Sequence, residues 1–114
     1  MRLFRSHHRR QPASLGTRAH EVVRLHGDLD VSNADATGRQ LVQLVDGGAE
    51  VLEVDLADVH YLSPDGCAAL FMALRAAQAH STRLVITHAD ERARSVMHQI
   101  GLSRALSAEH SDDS

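Results

Sequence analysis

The sequence predicts an α/β fold: an open, mixed but largely parallel sheet of about four to five strands, with helices packed mainly on one face. Three observations predict it. Short apolar segments alternate with helix-length segments whose apolar residues recur at helical spacing, which calls for crossover connections and parallel pairing. Two of the strand segments carry polar residues at alternate positions, so helices cover one sheet face more than the other. Glycines stand just past the ends of two helical segments, as helix stops do.

In chain order, a short strand over residues 15–19 precedes Val22-Val23-Arg24-Leu25-His26, which is closed by Gly27 and an acidic turn, Asp28-Leu29-Asp30. Ser32 or Asn33 can cap the next helix, whose one-sided stripe is Ala34, Leu41, Leu44 and Val45. Gly47-Gly48 ends it. The strand from Val51 to Leu56 puts Leu52, Val54 and Leu56 on one face and Val51, Glu53 and Asp55 on the other; a short turn then leads to Ser63. A helix runs from Pro64 to about Ala79, followed by the strand Arg83–Thr87. The last helix starts near Asp90, shows Ala93, Val96, Met97 and Ile100, and stops at Gly101.

At 114 residues the chain suits one domain. Its boundaries are read as a basic, flexible arm over 1–14, the folded unit over 15–106, and an acidic, frayed tail over 107–114. Aromatic residues make up 3% of the chain, too few for a base-stacking platform. A net charge of −3 argues against a duplex-binding surface on the folded part. Lysine is absent, which excludes Schiff-base lysines, P-loop lysines and the lysine of phospho-receiver domains. The single cysteine, Cys67, falls on an inward helical stripe and has no disulfide partner, which fits a reducing cytosol. The N-terminal arginines are followed by no apolar run of the signal-peptide kind, and no stretch approaches the ~20 residues a bilayer requires. The expected location is the cytoplasm.

The most specific local signal is the start of the central helix. Ser63 is a good N-cap, Pro64 suits the first helical position, and Asp65 sets a carboxylate at the positive end of the helix dipole. Asp28 and Asp30 are candidates for the same negative patch, which a partner's arginine would answer, although both also read as ordinary turn residues. Two stripes run along this helix. Cys67, Leu70, Phe71 and Leu74 face the sheet; Ala69, Met72, Ala73 and Ala76 form a second, smaller apolar side. That side suits close approach by another helix or a protein surface, while alanine also serves simply as a good helix former.

No catalytic, metal or cofactor site is expected. His60, Ser63 and Asp65 lie close in sequence, but a serine engaged as an N-cap, with no separate oxyanion loop, makes a poor nucleophile. Neither His-x-x-x-His nor Cys-x-x-Cys spacing occurs, and there is no glycine-rich phosphate loop.

From Val22 to about Leu106 the chain resembles a STAS domain, the module of bacterial anti-sigma-factor antagonists. The resemblance rests on the strand entering Gly27-Asp28-Leu29-Asp30, the strand Val54-Asp55-Leu56, the loop Ser63-Pro64-Asp65-Gly66, and Gly101-Leu102. It implies a STAS-type sheet and a non-catalytic interaction module. The implied partner is a serine-kinase-type anti-sigma factor, bound through Asp28, Asp30, Ser63, Pro64, Asp65, Gly66, Ala69 and Met72. Phosphoregulated members of the family read Asp-Ser-Ser-Gly before the central helix, and phosphate on the second serine blocks binding. Here Gly66 is kept, but Asp65 stands at the phosphorylated position, Pro64 at the first serine and Ser63 at the aspartate. Asp65 cannot be phosphorylated by a serine kinase; it would either imitate the phosphorylated state permanently and weaken the usual partner contact, or meet an arginine on a changed partner surface and leave the antagonist constantly available. Ser63 keeps a hydroxyl nearby as a second phosphoacceptor candidate, a poor one beside a proline. The other role implied is an accessory or structural STAS subunit of a larger complex, transporter-associated or stress-signalling, which needs no phosphorylation.

Overall fold

The computed structural model of the chain describes residues 2–9 and 20–110. Its elements are β1 (Arg2–Arg9), β2 (His20–Leu29), α1 (Ala34–Asp46), β3 (Val51–Leu62), a 3-10 turn (Asp65–Cys67), α2 (Ala68–His80), β4 (Arg83–Thr87), α3 (Glu91–Gln99) and α4 (Leu102–His110). The sheet order is β1-β2-β3-β4, with β1 antiparallel to β2 and the remaining pairs parallel. This is the mixed, largely parallel sheet the alternation of segments predicts.

Several details differ from the sequence reading, and one expectation falls outside the described residues. Arg2–Arg9, expected as part of a free arm, pairs with β2. The strand expected over 15–19 lies outside the described residues. The tail expected from residue 107 is helical to His110 as part of α4. Most consequential, β3 continues to Leu62, well past the turn expected after Leu56.

Two β-bulges conceal that extension. Arg24 sits opposite Asp55, yet His26 sits opposite Asp58; Gly27 faces Val59, yet Asp28 faces Tyr61. Each step adds one residue to β3, which breaks the period of two that marks a strand in sequence. At the first bulge the Asp55 carboxylate accepts the amide of Ala57 at 2.9 Å, replacing a ladder bond.

The core lies between the sheet and the helices. Val23 and Leu25 of β2, Leu52, Val54 and Leu56 of β3, and Leu84 of β4 point into it and are buried. Opposite them runs a polar face. There the Arg24 Nε donates to Asp55 at 3.3 Å, the His88 Nδ1 meets Asp55 at 3.0 Å, and Thr87 donates to Glu53 at 3.0 Å.

The two stripes of α2 are both interior. Cys67, Leu70 and Leu74 pack in the core, and Ala69, Ala73 and Ala77 are also fully buried because α1 lies across them. Gly38 of α1 permits this: a β-carbon there would strike the Met72 Sδ and come within 3.2 Å of the Ala69 Cα. The small stripe therefore receives a helix of this same chain. Ala69 is thus corrected from a partner-facing residue to a helix-packing one, and Met72 is half-buried against the same interface.

Candidate functional site

The turn after β2 and the start of the central helix are built against each other. The Leu29 carbonyl accepts the Ser63 amide at 3.0 Å. A β-carbon on Gly66 would collide with that carbonyl and come within 3.0 Å of the Asp30 amide nitrogen. Gly66 therefore allows a close backbone approach. One consequence is positional: the acidic turn and Asp65 belong to the same end of the sheet.

The helix begins as its sequence predicts. Ser63 Oγ accepts the Gly66 amide at 2.8 Å, and Pro64 has φ −56 and ψ −41. The first turn is tightened to 3-10 geometry before α2 proper, a common form of helix entry. Ser63 itself is buried, with its oxygen engaged, whereas Pro64 and Asp65 are exposed. Among the described residues no hydrogen bond joins the Ser63 hydroxyl to the exposed His60.

The acidic segment expected as a turn divides: Gly27, Asp28 and Leu29 still belong to β2, and only Asp30 begins the turn. Asp30 Oδ1 accepts the Ser32 amide at 3.0 Å and the Ser32 hydroxyl at 2.6 Å, and those bonds hold the Asp30 carboxyl below the usual range. Asn33, a candidate cap for α1, instead reaches backwards: its Oδ1 accepts the Asp30 amide at 3.1 Å and its Nδ2 donates to the Asp28 carbonyl at 2.9 Å. Asp30 is thereby a turn-forming residue first. Asp28 is exposed, and among the described residues neither Asp28 nor Asp65 has an ion-pair partner.

Two further residues of this end escape the sequence reading. Val31 is 73% exposed and Tyr61 is 54% exposed, the large apolar side chains that stand out of the described surface. Tyr61 sits opposite Asp28 in the ladder, and Val31 follows Asp30 directly. An apolar residue inside a run of turn formers was the available signal for Val31; for Tyr61 it was being the chain's lone tyrosine. The end face thus offers apolar anchors between unpaired carboxylates, a composition suited to docking a protein surface.

Cys67 is inert: burial pushes its thiol up to about 11. Among the described residues no group of three or more His, Cys, Asp or Glu is placed to hold a metal. No helix among them is long and apolar enough to cross a membrane.

A family model described as "Mlab, STAS domain" matches residues 15–107. The chain belongs to the STAS family. Solved STAS-like structures agree in fold. The anti-sigma factor antagonist SpoIIAA in its unphosphorylated form matches with a TM-score of 0.66 at 18% identity, covering 80% of each chain. A sulfate transporter family protein from Wolinella succinogenes matches with a TM-score of 0.66 at 17% identity, covering 77% of this chain and 71% of that one. The phosphorylated form of the Bacillus cell fate determinant SpoIIAA gives 0.60 at 18% identity, over 80% of this STAS chain and 83% of that chain. Among curated proteins none matches significantly.

Proposed function

We propose that this STAS domain is a non-catalytic, cytoplasmic interaction module, an anti-sigma-factor antagonist that docks a serine-kinase-type anti-sigma factor without a serine phosphoswitch. The observation that carries the reading is Asp65, exposed and unpaired at a helix start whose neighbouring hydroxyl, on Ser63, is buried and already bonded. Asp65 supplies a fixed charge of about −1, where a phosphoserine would supply about −1.5 to −2 and could be removed. Asp28, Val31, Tyr61 and Pro64 complete the docking end, and a partner's arginine answers the carboxylates.

The test has two parts. The immobilised full chain is used for capture from native lysate, and the captured ATPase-fold protein is then titrated against variants. Asp65→Arg should weaken that complex at least about tenfold. Asp65→Ser should acquire phosphate from the captured kinase and ATP while the parent chain does not. Labelling of the parent that Ser63→Ala removes would overturn the unswitched reading.

A second role, accessory subunit of a transport assembly, is favoured by one observation. The sulfate transporter family protein matches with the same TM-score as SpoIIAA. Capture of transport subunits without any ATPase of the kinase type would select it.

A further inference from the structure

We propose that the outer edge of β3 is a second docking site, which takes a short extended segment of a partner protein by strand addition. β4 pairs with β3 only from Val51 to Asp55. At His88, φ 59, the chain turns out of the sheet and leads to α3. From Ala57 onward, the side of β3 that faces away from β2 has no strand beside it among the described residues.

A cavity of about 310 Å³ occupies that position. Its lining identifies it as a slot rather than a dimple. Four consecutive residues of β3 touch it, Val59, His60, Tyr61 and Leu62. Successive side chains of a strand point to opposite faces, so a wall of consecutive residues is the strand's edge, with its unpaired amides and carbonyls. The other wall is one face of α3: Arg92, Ser95, Val96 and Gln99 recur at helical spacing. An edge opposite a helix face, in line with β4, has the shape of a missing strand. A segment of about four residues, roughly 13 Å long, would span it.

The chemistry of the walls selects the segment. The bulge between Val59 and Tyr61 brings Val59 and Leu62 to the same face, and with Ala93 these buried residues make an apolar floor for the occupant's inward side chains. Arg92 is exposed and has no ion pair among the described residues, whereas the Asp90 carboxylate accepts the Ala93 amide at 2.8 Å. Asp90 and Arg92 both line the rim, but the Asp90 carboxylate is engaged with the first turn of α3 as its cap, so the Arg92 guanidinium is the rim charge left to meet an occupant. The occupant is an extended peptide of alternating apolar and acidic residues, bound through its main chain. This site goes beyond the docking end described above: the β2–α1 turn and the start of α2 take no part in it, and Tyr61 is shared.

The test is an NMR titration of the full chain with a capped hexapeptide of alternating valine and glutamate. Amide shifts should concentrate in residues 57–62 and 91–99. Methylating the peptide's backbone nitrogens, or replacing glutamate by lysine, should weaken binding about tenfold or more. Arg92→Glu should reverse the preference between the glutamate and lysine peptides, and Asp65→Arg should leave binding of these peptides as it is in the parent chain, which separates this site from the docking end. Absence of shifts at millimolar peptide overturns the proposal. Binding indifferent to N-methylation overturns it in favour of a small-amphiphile pocket. Shifts that arise from protein concentration alone overturn it in favour of a second copy of the chain.

Discussion

Gly66 and Leu29 compete for one space: the Leu29 carbonyl, which accepts the Ser63 amide at 3.0 Å, lies where a β-carbon on Gly66 would stand. Backbone meets backbone there, so nothing flexible can yield. Gly66→Ala should destabilise the domain by about 2–3 kcal/mol or more, read as a lower urea midpoint with an unchanged slope. If the variant is as stable as the parent, the close approach is not present in solution.

The cap at Ser63 makes a milder prediction. Ser63→Ala removes the acceptor of the Gly66 amide, bonded at 2.8 Å in a buried setting. It should cost about 1 kcal/mol, within the range of about 0.5–2 for lost caps, and Ser63→Asp should restore part of it. Thermal denaturation of the three proteins decides this.

Asp55 links stability to pH. Burial pushes its carboxyl up, but the Ala57 amide, the His88 imidazole and the Arg24 guanidinium outweigh burial and leave it below its ordinary value. A carboxyl lowered on folding stabilises fully above its unfolded value, about pH 4, and loses that stabilisation as pH falls through the folded value. Asp55→Asn should therefore be less stable by about 1.5–3 kcal/mol at pH 7, and the gap should narrow toward pH 2–3. A gap constant across urea titrations at both pH values would contradict the assignment.

The helix–helix contact at Gly38 predicts coupling. Gly38→Ala gains helix propensity, about 1 kcal/mol, but drives a methyl against Met72 and toward the Ala69 Cα at 3.2 Å. Alone it should destabilise by about 1–2 kcal/mol; combined with Met72→Ala the two changes should be less costly than their sum by about 0.5 kcal/mol or more. Strict additivity in the double-mutant cycle would remove Met72 as the obstacle.

Local signals were legible where one residue type has one physical reason to stand where it does. Ser63-Pro64 announced a helix start because a hydroxyl acceptor and a missing N–H suit that position in any context. Asp90 and Gly101 marked the two ends of α3 for the same kind of reason, with the Asp90 carboxylate on the Ala93 amide and Gly101 at φ 86. The alternation of strands and helices carried the α/β class, since parallel strands need crossovers. By contrast, the second half of β3 was hidden because two bulges break its period, and a bulge is defined by the partner strand. The alanine stripe of α2 read equally as a face for close approach by another helix or protein surface and as plain helix-forming filler; only α1, brought across it by Gly38, decided that it is interior. Val31, Tyr61 and the slot beside β3 belong to the same category. Their exposure and neighbours depend on which strand ends where, a relation between distant segments that no local spacing encodes.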